Sequence, residues 1–405
     1  MKLIKSYLLC VVALSVFACS NDDNGGEDKE VEKSEVIQNY ANIVYTSYND
    51  SYEGAVLLQT AVDAFIANPS EANFNTTKKA WLAAREPYGQ TEAYRECNGP
   101  IDAGGESWSI ENEGRLNAWP LEEALIDYVL AATEAQGAGS FSFNNIISDD
   151  SITIDENTVI SYNEYEQNEA AVSTGWHAIE FLLWGQDNTD PKDNLPGQRM
   201  FTDYTTAGNA NRRASYLKIV TDLLVKDLKN LVDTWKTGGA YRTVFDALKE
   251  DTALKQLING AFFIAGDELS SERMIAPVNS NGGYNGWGQE DEHSCFSDNT
   301  HRDIFTNAKG VYNVIFGEYG TIKGASFYDL VRQANATQAE KLKSASDEAM
   351  AKVAVIVNND KPFDYLITKE VSTNTSGPVM QAVVALQAWG DEISASASII
   401  QINLN

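Results

Sequence analysis

Tyr216-Leu217-Lys218-Ile219-Val220-Thr221-Asp222-Leu223-Leu224-Val225-Lys226-Asp227-Leu228-Lys229-Asn230-Leu231-Val232-Asp233-Thr234-Trp235 is the stretch that decides the fold. Ile219, Val220, Leu223, Leu224, Leu228, Leu231, Val232 and Trp235 step by threes, fours and ones. That spacing lays one wide apolar stripe along a helix of about 20 residues. It returns at Val36, Ile37, Tyr40, Ile43 and Val44, and past Gly54 at Leu58, Val62 and Phe65. Further stripes run through Leu342, Ala345, Ala349, Val353 and Ile356, and through Val379, Val383, Leu386 and Trp389. Strand-like alternation is rare, Ser151-Ile152-Thr153-Ile154 being its best case. The expected class is all-α, and long helices with short connections favour bundles.

The segment from Pro191 to Gly208 is rich in Pro, Gly and Asn, and the order of elements on its two sides is alike. A long helix, 36–67 or 214–236, leads to a second one rich in small and charged residues, Ala80 to Tyr88 in the first half and Ala261 to Arg273 in the second. This predicts two helical-bundle halves related by internal duplication, 34–205 and 206–405, with functional residues where the halves meet.

At the start of the chain, Lys2 and Lys5 precede an apolar run, Leu8 to Phe17, that is too short to span a bilayer. Residues 1–18 therefore read as a lipoprotein signal peptide. Val16-Phe17-Ala18-Cys19 resembles the lipobox of bacterial lipoproteins, which makes Cys19 the expected lipidation site. The polar tract that follows contains almost nothing to bury, so 19–33 is expected to be a disordered acidic linker. Such Asp-rich tracts are similar to those of Bacteroidota lipoproteins, some of which reach the cell surface. The expected location is the cell envelope, lipid-anchored at the outer membrane, on its periplasmic or cell-surface face.

Loss of Lys2 and Lys5 with the signal peptide moves the formal charge from −28 to −30. So acidic a chain excludes nucleic acid and an anionic lipid surface as direct partners, which leaves the lipid anchor as the membrane contact. The charge suits attraction of cations, although solubility alone also accounts for it. Beyond Cys10 and Cys19 only Cys97 and Cys295 remain, compatible with one bridge that the sequence does not establish.

Only three histidines occur, and each stands near carboxylates. On a helix Ser173, His177, Glu180 and Trp184 share one face, with His177 and Glu180 close enough to hold one ion or proton. With 58 acidic residues in the chain, chance alone gives at least one histidine such a neighbour about four times in ten. The pair lacks the zincin and inverzincin patterns, since no Glu follows His177 directly and Phe181 stands where a second His would be needed. The run Glu290 to Asp303 is denser, gathering Glu290, Asp291, Glu292, His293, Asp298, His301 and Asp303. A helical turn over 298–301 would face Asp298 and His301 the same way, and 298–300 equally suits a helix N-cap. A third cluster, Arg85, Glu86, Glu92 and Arg95, reads as salt bridges between helices or as a means of orienting a carboxylate. No phosphate loop, nucleophile elbow or Cys/His nucleophile pair is present.

Taken together these segments resemble the imelysin family of bacterial envelope proteins. Gly175-x-His177-x-x-Glu180 matches its signature, and Ala84-Arg85-Glu86-Pro87-Tyr88 with Thr91-Glu92-Ala93-Tyr94-Arg95 resembles its N-terminal motif. Asn117-Ala118-Trp119-Pro120, Gly197-Gln198-Arg199 with Thr202-Asp203-Tyr204, Ser271-Glu272-Arg273-Met274 and the run from Asp291 to Asp303 follow in order. Met200 departs from the pattern, where a proline is expected. The resemblance implies two helical bundles related by duplication, with the signature residues near their interface. It also implies a link to iron, because related proteins are iron-regulated or belong to periplasmic iron uptake, and it carries a peptidase label from an insulin-cleaving membrane protease.

The leading expectation is a lipid-anchored envelope protein that binds a metal cation, iron or zinc, or a small ligand through one, beside other envelope iron-uptake proteins. His177, Glu180, His293, Asp298 and His301 are the expected metal residues, with Arg85 and Arg95 orienting a ligand. The rival is a metallopeptidase in which Glu180 or Glu86 is the general base. A third reading is a non-catalytic interaction protein whose polar cluster is a buried network.

Overall fold

The computed structural model describes residues 30–102, 106–110, 112–129, 141–280 and 289–404. The signal peptide, Cys19 and most of the linker lie outside the described residues. Eight helices carry the architecture: α1 Lys33–Ala67, α2 Glu71–Gln90, α3 Gly175–Trp184, α4 Ala210–Trp235, α5 Glu250–Phe263, α6 Thr300–Phe316, α7 Ala336–Val357 and α8 Pro378–Ile399. The all-α expectation holds: among the described residues the sole strands are the two-residue β1 Glu318–Tyr319 and β2 Ile322–Lys323, paired antiparallel. Ser151 to Ile154 is not a strand; its Ile152 is buried and gives its carbonyl to Arg212 Nη2.

Local sequence sets the helix ends. Glu32 and Glu35 form a capping box at the start of α1, and the Ser70 hydroxyl accepts from Asn73 N at the start of α2. Val31, inside the stretch expected to be linker, already packs on the core and donates its N–H to Gln333 Oε1 at 2.8 Å.

Helices α1 to α4 pack together, α1 along α2 and α4, and α3 against α2 and α4. Helix α4 begins past residue 205, and it buries Tyr216, Val220, Leu223, Leu224, Leu228, Leu231 and Trp235. Helices α5 to α8 form the second group, and one apolar core runs through both. The groups meet where α2 crosses α6 and α1 meets α5. At Gly310 of α6 an added Cβ would fall 2.3 Å from the Gln90 carbonyl oxygen, so only glycine permits this crossing. The close approach brings the side chains of α2 to those of α6.

Between α5 and residue 279 the helix continues through two π-helical stretches, Ile264–Glu268 and Ser271–Ile275. Such widened turns occur often at functional sites. Here they carry Glu268, Glu272 and Arg273.

Cys97 is a free, buried thiol that accepts from Tyr40 Oη at 3.8 Å and donates to the Arg95 carbonyl at 3.2 Å, so it makes no bridge to Cys295. Burial pushes its pKa up.

Leu228 is wholly buried in the stripe that decided the fold. Leu228→Ala is expected to lower unfolding free energy by about 2–5 kcal/mol in a denaturant titration. A loss under about 0.5 kcal/mol, the range of surface substitutions, would contradict this packing.

Candidate functional site

Every residue of α3 is buried. Its first residue, Gly175, has φ +80°, and a Cβ there would stand 2.4 Å from the Leu116 carbonyl oxygen. Only glycine satisfies both conditions, so the helix presses against the segment that carries Asn117 and Trp119. The i, i+3 spacing then sets His177 Nδ1 2.8 Å from Glu180 Oε2.

From the other side, the run ahead of α6 folds over α3. Ser297 donates from its N and Oγ to Glu180 Oε1, at 2.9 and 2.7 Å. His293 brings its Nε2 to 3.1 Å from His177 Nε2. Its Nδ1 lies 2.8 Å from Asp303 Oδ2, in the first turn of α6. That same oxygen accepts from Ser294 Oγ at 2.5 Å and from Arg85 Nη2 of α2 at 2.8 Å. Arg85 Nη1 donates to Asn117 Oδ1 at 2.6 Å, and Asn117 Nδ2 lies 3.4 Å from His293 Nε2. One buried chain therefore runs Glu180, His177, His293, Asp303, Arg85.

Burial sets the protonation along this chain. It pushes Glu180 up to about 8, with Ser297 pulling the other way. Burial lowers His177 well below the ordinary imidazole value and takes His293 down to about 4, with Arg273 adding to it. Burial would raise Asp303 too, but the Arg85 guanidinium and His293 hold it well below the usual carboxylate range. Both rings are thus neutral at pH 7. With Glu180 protonated, its O–H donates to His177 Nδ1, His177 Nε2–H donates to His293 Nε2, and His293 Nδ1–H donates to Asp303. With Glu180 ionised, His177 Nδ1–H turns to the carboxylate and two Nε2 lone pairs face each other. That second state leaves two nitrogen lone pairs without a proton between them.

Trp119 closes one side, its ring centroid 4.9 Å from that of His177 and edge-on to it. Its Nε1 is buried without a hydrogen-bond partner. A cleft of about 380 Å³ reaches the site here, touching Asn117, Trp119, Glu268, Glu272, Arg273 and His293. Glu92, against the same network, would be raised by burial but is brought down to about 2 by Arg273 and Arg95. Arg273 Nη2 reaches it at 2.8 Å.

The expected site residues thus separate. His177, Glu180, His293 and Arg85 converge, and Arg95 stands at the cleft, bound to Glu92 at 3.1 Å and Glu268 at 3.3 Å. Glu86 does not join them: about 100° round α2 from Arg85, it pairs with Arg302 at 2.6 and 2.7 Å near the surface. His301 also stands apart, because it lies on α6 two positions, about 200°, from Asp303. Its Nδ1 faces the Asp298 carbonyl at 3.0 Å. Asp298 itself adopts a left-handed turn, φ +57°, and its carboxylate joins Asp187 and Asp364 instead. Burial, with Asp187 and Asp364 adding to it, pushes Asp298 up to about 9, and burial pushes Asp187 to about 7 against hydrogen bonds from Thr189.

Ser297, Asn117 and Trp119 were not expected to contact the histidines; Asn117 and Trp119 lay in a matched motif without a role. Asp303 stood in the acidic run, but nothing in its spacing singled it out as the partner of His293. Among the described residues no helix is long and apolar enough to cross a membrane.

Comparison with known proteins gives the family and the fold. The imelysin family model, peptidase family M75, matches residues 44–388. The iron-regulated protein A of Synechococcus elongatus is 23% identical over 386 residues, which covers 91% of this chain and 86% of that protein. A crystal structure from Parabacteroides distasonis, assigned as an iron-regulated protein A precursor, superposes with a TM-score of 0.64 at 19% identity, over 91% of this chain and 97% of that one. An imelysin-like protein from Psychrobacter arcticus gives 0.61 at 14% identity, over 93% and 98%. With a family match that spans most of its length, and with the signature Gly175, His177 and Glu180 each given a physical role, this chain belongs to the imelysin family.

Proposed function

We propose that this protein binds a metal cation, or a small ligand through one, at the facing Nε2 atoms of His177 and His293, and that iron is the metal it serves. The observation that carries the reading is the 3.1 Å approach of these two nitrogens, each ring held at Nδ1 by a carboxylate. Two imidazoles that bind one ion at about 2.0–2.1 Å place their nitrogens roughly 3 Å apart. A carboxylate on the far ring nitrogen is the usual support of a metal-binding histidine. Imidazole suits iron, zinc and copper, and the cleft at His293, edged by Glu268 and Glu272, admits a cation or a small ligand from solvent. Iron is favoured by the names of the two relatives called iron-regulated.

Peptide cleavage has less support. A zinc hydrolase needs three protein ligands and an open position, and two imidazoles converge here. Glu180, the nearer candidate base, is fully buried with both oxygens engaged. The envelope location rests on residues 16–19, read as a lipidation signal. Cys19→Ser should release the protein from the membrane fraction of cells; unchanged membrane association would remove the anchor from the account.

Anaerobic calorimetry with Fe²⁺ and Zn²⁺ tests the metal site. The wild type should bind one ion per chain, and His177→Ala and His293→Ala should each weaken binding tenfold or more. Equal affinity in all three proteins, or none in the wild type, would sink the proposal.

The Glu180 state is testable through stability. Its folded value, about 8, lies above the unfolded value of roughly 4.3, so the neutral form favours the fold. That contribution is complete below about pH 4.3 and is lost as pH rises through about 8. Glu180→Gln keeps the neutral shape, so its Tm minus that of the wild type should grow from pH 5 to pH 8 and then level off. A difference independent of pH would show that Glu180 is already ionised in the fold.

A further inference from the structure

Residues of the 292–299 loop also take part in a second cluster, made of carboxylates alone. Asp187, in the loop after α3, Asp298, in its left-handed turn, and Asp364, in the helix Phe363–Ile367, bring oxygens within 4.8 Å of one another. Glu292 adds a fourth carboxylate. It is 1% exposed, its Oε1 is buried without a hydrogen-bond partner, and Asp364 and Asp298 are its strongest charged neighbours. Asp298 Oδ1 is likewise buried and unpartnered. Among the described residues the recorded ion pairs of Lys, Arg and His go elsewhere, as Lys192 to Asp190 and Arg302 to Glu86. Three acids that close to one another, with the buried Glu292 as a further charge neighbour, repel strongly unless protons or a cation stand between them.

We propose that Asp187, Asp298 and Asp364, with the unpartnered Glu292 carboxylate beside them, form an oxygen-only site for a hard divalent cation, Ca²⁺ by its ligand set, separate from the imidazole pair. Three carboxylate oxygens within 4.8 Å of one another share a centre at most about 2.8 Å from each, close to the Ca²⁺–oxygen distance of about 2.3–2.6 Å, and no nitrogen or sulfur donor that would favour a softer metal is among them. Gln289 Nε2 donates to Asp187 Oδ2 at 3.3 Å and to Asp364 Oδ2 at 3.4 Å, so these two acids are bridged by one amide.

The site would act as a clamp. It joins three segments distant in sequence: the loop that leaves α3, the loop that carries His293, and the helix at 363–367. Glu292 directly precedes His293, and Asp298 directly follows Ser297, whose N and Oγ hold Glu180. Ca²⁺ bound here would fix the histidine loop without touching either imidazole.

The test uses the mature protein, stripped with chelator and dialysed. Equilibrium dialysis with ⁴⁵Ca²⁺ should give one ion per chain, and 1 mM Ca²⁺ should raise the Tm. Asp298→Asn and Asp364→Asn should weaken binding tenfold or more and abolish the Tm shift. Their chelated forms should melt no lower than the chelated wild type, since Asp298→Asn replaces a neutral acid by its neutral isostere and Asp364→Asn removes a like charge, and this separates lost binding from lost folding. His177→Ala should bind Ca²⁺ as the wild type does, so failure here is distinguishable from failure of the histidine site. No ⁴⁵Ca²⁺ bound by the wild type at 1 mM would overturn the proposal in favour of acids that share protons. Undiminished binding in both Asn variants would overturn the assignment of residues.

Discussion

The site depends on the buried ion pair between Arg85 of α2 and Asp303 of α6. Both side chains are almost wholly withdrawn from water, where an unpaired charge is severely penalised, so each needs the other. Asp303 then has oxygen lone pairs left for Ser294 and for His293 Nδ1, and that bond aims His293 Nε2 at His177. The pair exists because α2 and α6 approach closely at Gly310. A constraint on backbone distance thus becomes, through one carboxylate, the orientation of an imidazole.

The arrangement also explains why so acidic a chain keeps two arginines at its centre. Arg85 and Arg273 hold Asp303 and Glu92 ionised inside the protein, while Glu180, without a cation, is pushed up to about 8. Two carboxylates at opposite ends of one hydrogen-bonded chain therefore differ in charge at neutral pH. Environments that drive neighbouring acids apart in this way are how proteins place a single movable proton.

Much of this was legible in the sequence, and the reasons are specific. The stripe from Tyr216 to Trp235 fixed a helix because burial needs a continuous face, and the structure buries nearly all of it. His177 and Glu180 could be paired because both lie on one helix, where spacing determines direction. His293 was identified by local density of acids, but its meeting with His177 depends on a crossing of helices that no local pattern encodes. Glu86, Asp298 and His301 show where the reading stops. Asp298 and His301 share a face only if the helix begins at Asp298, and its start at Thr300 leaves Asp298 in a left-handed turn, while Glu86 lies one position round from Arg85 and faces another way. Asp187 and Asp364 carried no signal, since they are isolated acids in a chain with many, brought together by three separate segments.

The central claim is that His177 and His293 share one cation. Crystals of the mature protein soaked anaerobically in Fe²⁺ and measured on both sides of the iron absorption edge test it most directly. The account predicts an anomalous peak about 2.1 Å from both Nε2 atoms, with each Nδ1 still on its carboxylate. A map with no peak there, in crystals where the two rings remain in contact, would contradict it.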